Sequence, residues 1–160
     1  MPSSILTSLH SSERWPAMHN MDQDILEYLK SQNVCVIALE MPDGSPHAAT
    51  VHFAHAEDPL TLLFLTSSTY RKSEALKAKE SVRASVVVGS NEGDMRTFQL
   101  DGVASLLPKG DALEETYFMK FPKKREKYAT SDDLFFTFTP TWWRFTDWTQ
   151  PSGKTVRTSK

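Results

Sequence analysis

The chain predicts a mainly β fold with short α insertions, in which six antiparallel strands make a small closed or split barrel. Three observations carry this expectation. Short apolar, β-branched runs recur along the sequence, among them Val34-Cys35-Val36-Ile37-Ala38-Leu39 and Val82-Arg83-Ala84-Ser85-Val86-Val87-Val88. Turn signals separate them at Pro42-Asp43-Gly44-Ser45-Pro46, Asp58-Pro59 and Asn91-Glu92-Gly93-Asp94. Finally, 160 residues with 39% hydrophobic and 24% charged content suffice for one domain with its own core.

Residues 1–20 show no period, are rich in Ser and His, and read as an arm. Asp22 offers an N-cap, and Ile25, Leu26 and Leu29 recur at helical spacing, so a short helix is expected from Gln23 to about Ser31. The run from Val34 to Leu39 is a strand, and Asp43-Gly44 supplies the backbone angles of a tight reversal. The return strand, His47 to His55, places Ala48, Thr50, His52 and Ala54 on one face and Ala49, Val51 and Phe53 on the other. A further strand is expected over Leu60 to Thr66, a helix to about Glu80 and a buried strand over Val82 to Gly89. The long strand Arg96 to Leu107 is interrupted at Asp101-Gly102, where the glycine permits a bulge. A helix from about Asp111 stops before Pro122, and Leu134 to Phe138 and Trp142 to Trp148 read as two aromatic strands. The barrel thus spans residues 21–150, with 151–160 as a tail. Such a barrel is too narrow to enclose a large ligand. A sizeable cofactor must lie outside it, in a groove shared by two copies.

Composition excludes several function classes. A formal charge of -2 and a pI near 6.2 argue against nucleic acid as a partner. The single cysteine, Cys35, rules out an internal disulfide and a Cys-based zinc site, and lies in an apolar run as a small hydrophobe. The beginning of the chain has no continuous apolar signal segment, and no stretch approaches a membrane span, so the expectation is a cytoplasmic protein without a membrane partner. His47 and His55 are far apart on their strand, His52 points to the opposite face, and no metal-ligand spacing appears. Lys123, Lys124, Arg125 and Lys127 read as a solvated helix face, or as a neighbour of a nucleotide phosphate. No Ser-His-Asp triad, carboxylate pair or Walker sequence is present.

One stretch does point to a ligand. In Leu63-Phe64-Leu65-Thr66-Ser67-Ser68-Thr69-Tyr70-Arg71-Lys72-Ser73 an apolar strand becomes a helix, with hydroxyls in the connection and two cations in the first turn. A helix N-terminus is partially positive, so each cation there costs roughly 0.3 to 1 kcal/mol. A docked anion reverses that cost. Free backbone N–H groups, hydroxyls and paired cations make a phosphate cradle without a Gly-rich loop. The alternative is a solvated Arg-Lys pair.

These residues together, His47-Ala48-Ala49-Thr50-Val51-His52-Phe53, Leu63-Phe64-Leu65-Thr66, Tyr70-Arg71-Lys72 and the strand from Val82 to Val88, resemble the pyridoxamine 5'-phosphate oxidase-like family over about Met21 to Trp148. The closing segment, with Tyr117 to Phe121 and Trp143-Arg144-Phe145-Thr146-Asp147, looks most like a small bacterial branch without an assigned reaction. The resemblance implies an FMN-binding split barrel, a homodimer with the cofactor at its interface, and an oxidoreductase that exchanges electrons with a small-molecule donor and acceptor. Carried over, the FMN phosphate falls to Thr66, Ser67, Arg71 and Lys72. The ring falls to Ala49, Thr50, Val51 and His52, and a partner-chain amide to Gln99, two residues beyond Thr97. Trp142, Trp143 and Trp148 are candidates to stack on the flavin or a substrate, Trp143 being the one assigned to the ring, and their alternative is a place in core or dimer interface. The late Trp, Arg and His with which the true oxidases grip their substrate have no match in Asp133 to Phe138, and the last basic position falls to Lys154 or Arg157. Oxidation of pyridoxine phosphate itself is therefore not expected. The competing reading is a non-catalytic flavin or haem binder, or a stress-related protein, on the same barrel.

Overall fold

A computed structural model describes residues 21–89 and 91–160; the expected arm lies outside them. The elements are α1 (Gln23–Ser31), β1 (Val34–Glu40), β2 (Pro46–His52), β3 (Ala54–Ala56), β4 (Thr61–Thr66), α2 (Arg71–Ala78), β5 (Val82–Val88), a 3-10 turn (Glu92–Asp94), β6 (Arg96–Leu106), α3 (Leu113–Lys120), α4 (Lys124–Ala129), β7 (Leu134–Asp147) and β8 (Thr155–Thr158). All pairings are antiparallel, in the order β2-β1-β5-β6-β7-β4-β3, with β8 beside β7.

The two ends of this order are consecutive in the chain. Only Phe53 separates β2 from β3, and its N–H still donates to the Asn33 carbonyl at 3.0 Å, in register with the β1–β2 ladder. The sheet therefore curls back on one bent strand to form a split barrel. The seven runs read as strands become eight segments for local reasons. The return strand divides at Phe53, but its alternation persists: Val51 and Phe53 face the main core, while Ala54 lies under α3 on the side where the His52 ring meets Phe121. The two aromatic strands are one, β7, running through Pro140. Pro140 lacks an N–H, and the ladder tolerates it because the register with β6 shifts between Asp101 and Gly102. Gly102 is required there: a Cβ would stand 2.1 Å from the Thr139 carbonyl oxygen. Residues 155–158 of the expected tail form β8. Its Arg157 donates to Asp22 at 2.7 Å and to both Asp24 carboxylate oxygens at 2.6 and 2.9 Å, clamping β8 to α1. Asp22 begins α1 with its carbonyl rather than its side chain, which Arg157 holds.

Alternation fills the barrel. Cys35, Ile37 and Leu39, Val82 to Val88 at every second position, Phe98, Leu100, Ala104, Phe136, Phe138 and Phe145 point inward. The helix α1 adds Ile25 and Leu29 at one end, and α2 adds Ala75 and Leu76 from the other. A second cluster lies outside the barrel wall, where Tyr117, Phe118 and Tyr128 of α3 and α4 enclose Phe135 and Leu63. Thus α3 and α4 cover β3, β4 and the first half of β7. Among the described residues no helix lies on the outer face of β2, β1, β5 and β6.

Candidate functional site

The split is the candidate site. The strand β2 has one strand neighbour, β1, while β4 pairs with β3 only over Thr61 to Leu63. From Phe64 to Thr66, β4 is paired on the β7 side alone. Opposite backbone edges of β2 and β4 thus approach without joining, leaving peptide donors and acceptors that a flat, hydrogen-bonding ligand can use. The connection from Thr66 to the start of α2 forms the floor of this slot.

That floor has two unsatisfied groups. Thr66 is 5% exposed, and its Oγ1 is the one buried side-chain polar atom among the described residues without a hydrogen-bond partner. Lys72 is 6% exposed and takes part in no ion pair or hydrogen bond among the described residues. Burial alone lowers its pKa from the ordinary lysine value. Its Nζ lies 4.7 Å from the centre of the Tyr70 ring. A buried hydroxyl without a partner is costly, and a phosphate at the N-terminus of α2 would meet both it and the unpaired Lys72 ammonium.

The loop between them is ordered by its own hydroxyls. Ser73 Oγ donates to the Ser67 carbonyl at 2.7 Å, the Ser67 and Thr69 hydroxyls lie 3.0 Å apart, and Lys77 Nζ donates to the Ser68 carbonyl at 2.8 Å. Ser68 itself donates to Asp132 at 2.6 Å. Arg71 is exposed and faces the β1–β2 turn, where it helps to hold Asp43 below the usual carboxylate range after the stronger contribution of Ser45. Thr66, Ser67, Arg71 and Lys72 are thus gathered at one end of the slot.

On β2, Thr50 and His52 are exposed, Ala49 is half-buried and Val51 is buried. At the far end of the strand the His52 ring meets Phe121 edge-on at 5.3 Å. Burial, with Lys124 and Lys120 nearby, lowers the pKa of His52. Lys120 was not singled out from the sequence. Its Nζ sits 4.5 Å over Phe53 and donates to the Gln32 carbonyl, and burial pushes its pKa down to about 8. Only its place in α3 against the β2–β3 break buries it, so no local signal could reveal it. Lys124 donates to the Tyr117 hydroxyl at 3.0 Å, so the basic run is not wholly solvated. Cys35 is buried and its thiol is pushed up to about 12, which removes it as a nucleophile.

The remaining expected residues lie elsewhere. Gln99 is exposed on the uncovered outer face, between Val87 and Arg144 across the ladder. Trp143 packs on the main core, 5.7 Å edge-on from Phe98. Neither adjoins the slot through a contact within this chain. Arg157 is committed to Asp22 and Asp24, and so does not supply the last basic position. His55 has a buried side chain 3.5 Å from Glu57. Among the described residues no three His, Cys, Asp or Glu side chains converge, and no helix is long and apolar enough to cross a membrane.

Residues 21–147 match the family model described as pyridoxamine 5'-phosphate oxidase. No curated protein matches the chain. Solved structures share its fold at low identity. A Jannaschia sp. CCS1 protein, provisionally named general stress protein 26, superposes with a TM-score of 0.65 at 14% identity, covering 84% of this chain and 94% of that one. A heme binding protein from Mycobacterium smegmatis gives 0.61 at 18% identity over 81% of this chain and 53% of its own. A pyridoxamine 5'-phosphate oxidase-related, FMN binding protein from Nostoc punctiforme gives 0.57 at 11% identity, over 86% and 96%.

Proposed function

The chain belongs to the pyridoxamine 5'-phosphate oxidase family, and on that premise we propose that it is a cytoplasmic, homodimeric FMN-binding oxidoreductase of a small molecule. The observation that carries this reading is the buried, unpartnered Thr66 Oγ1 at the start of α2, beside the largely buried Lys72, which has no ion pair or hydrogen bond among the described residues. Thr66, Ser67, Arg71 and Lys72 hold the FMN phosphate. The free edge of β2 along Ala49, Thr50 and Val51 orients the ring, with His52 at its end. A second copy, docked on the uncovered sheet face, brings Gln99 and closes the slot to water, while Trp143 supports the wall from within. When bound, FMN supplies hydride transfer between donor and acceptor. The chain then needs no acid, base or nucleophile of its own.

The first half of β7 supports the expectation that pyridoxine phosphate is not the substrate. Phe135, Phe136 and Phe138 are all buried there, and the segment offers the slot no arginine or histidine.

The test is a visible spectrum and a fluorescence-quenching titration of the purified protein with FMN. Micromolar or tighter binding, weakened about tenfold or more by Lys72→Ala with Arg71→Ala, is the expected result, since a hydrogen bond to a charged group contributes about 1.5 to 3 kcal/mol. No uptake of FMN, with the double substitution changing nothing, refutes the proposal. Bound FMN that no nicotinamide reduces makes the protein a carrier. A Soret band on haem addition, lost in His52→Ala, makes it a haem binder, a reading favoured by one exposed histidine at the end of the slot and by the Mycobacterium smegmatis neighbour.

A further inference from the structure

Lys72 is 6% exposed and has no carboxylate partner among the described residues, and the ring of Tyr70 faces its ammonium with its centre 4.7 Å from Nζ. Tyr70 is 58% exposed and contributes to neither hydrophobic cluster. A large aromatic ring in that position contributes little to the core, yet its negative face is the side-chain partner the cation has among the described residues. We infer that Tyr70 is a positioning residue of the phosphate cradle, whose ring holds the Lys72 ammonium charged and aimed into the cradle. The inference rests on the reading of Lys72 as a phosphate ligand.

The neighbouring charges do not replace the ring. Arg71 lies beside Lys72 on α2 and is of like sign, Glu74 is exposed a turn on, and Lys77 is engaged with the Ser68 carbonyl. Asp43 of the β1–β2 turn faces Arg71, and Asp132 accepts from Ser68. None of these forms an ion pair with Lys72 among the described residues. Desolvation therefore acts on this ammonium almost unopposed, and lowers its pKa. Removal of the ring lowers it further, so the charge needed to hold an anion is lost at a lower pH.

The experiment compares wild-type protein with Tyr70→Phe and Tyr70→Leu from pH 7 to pH 10. A phosphate monoester is already dianionic across this range, its second pKa being about 6, so the lysine is what titrates in the cradle. FMN affinity is expected to be unchanged in Tyr70→Phe, which keeps the ring. In Tyr70→Leu it falls about tenfold at pH 7, or about 1.4 kcal/mol, and its loss with rising pH begins earlier. A purely structural role for an exposed side chain moves neither the pH profile nor its rescue by Phe. The Lys72 Cε signal, followed by 13C NMR in the ligand-free protein, gives a readout independent of FMN: its titration midpoint moves down in Tyr70→Leu and stays in place in Tyr70→Phe. An unmoved midpoint overturns the inference even where FMN binds. Absence of FMN binding by the wild type overturns the cofactor reading, and the NMR midpoint then decides the Tyr70–Lys72 contact by itself.

Discussion

Phe135 and Phe136 are adjacent on β7, point to opposite sides of the barrel wall, and are 2% and 0% exposed. Their replacement by alanine tests the two-cluster architecture directly. Phe136 stacks on Phe64 at 4.7 Å inside the barrel. Phe135 lies outside, with Tyr128, Tyr117 and Phe118 at 4.9, 5.3 and 5.5 Å. Truncation of a buried Phe costs about 3 to 5 kcal/mol, transfer and cavity together. With a urea m-value of about 2 kcal/mol/M for a domain of this size, each variant should lose about 2 M in its unfolding midpoint. The two losses should differ in kind. In Phe136→Ala the whole barrel loosens. In Phe135→Ala, hydrogen exchange should accelerate first at the amides of α3 and α4, whose main apolar anchor is that ring, while β1, β5 and β6 keep their protection. A midpoint shift below about 0.5 M for Phe135→Ala, or uniform loss of protection across the barrel, refutes the reading of α3 and α4 as a separately docked layer.

Thr66→Val should stabilise the ligand-free protein slightly, by up to about 1 kcal/mol in urea melts, because a buried unpaired hydroxyl costs about 1 to 3 kcal/mol, and at the same time weaken FMN binding. Loss of stability with unchanged FMN affinity would contradict the assignment. Gly102→Ala should destabilise by about 1 to 3 kcal/mol or more through overpacking at the bulge, as its Cβ would meet the Thr139 carbonyl oxygen at 2.1 Å; an unfolding midpoint equal to wild type argues against that close approach. The guanidinium of Arg157 holds the Asp24 carboxyl below its usual range. A depressed folded pKa contributes stability above the unfolded value, about 3.9, and that contribution fades as pH falls through the folded value. Asp24→Asn should therefore cost under about 1 kcal/mol at pH 7, the pair being largely solvent-screened, and progressively less as the pH falls through the folded value; a cost independent of pH refutes the ionic origin.

Much of the barrel was legible because alternation is a local property. The runs that became β5 and β6 carry it, β1 and β4 are marked instead by continuous short apolar stretches, and Asp43-Gly44 marks the first reversal. What stayed hidden depends on distant partners. Pro140 reads as the end of a strand until Gly102 is seen to accommodate it across the ladder. Residues 155–158 hold one apolar side chain, Val156, so nothing local marks β8; its position follows from β7 and from the Arg157 clamp. The cradle was legible from cations placed against the helix dipole. The depth of Lys72 was not, since α2 buries it only by capping the barrel. The role of Tyr70 was hidden for the same reason.

The interruption at Phe53 has an implication for how this scaffold can be altered. Strand identity alternates by residue, so one residue inserted after Phe53 would send His55, not Ala54, toward Tyr117 and Phe118, while the register of β2 on β1 would stand. The width of the ligand opening and the seating of α3 are therefore one adjustable joint rather than two. Variation in chain length at that joint retunes what the opening admits and leaves the other five walls of the barrel as they were.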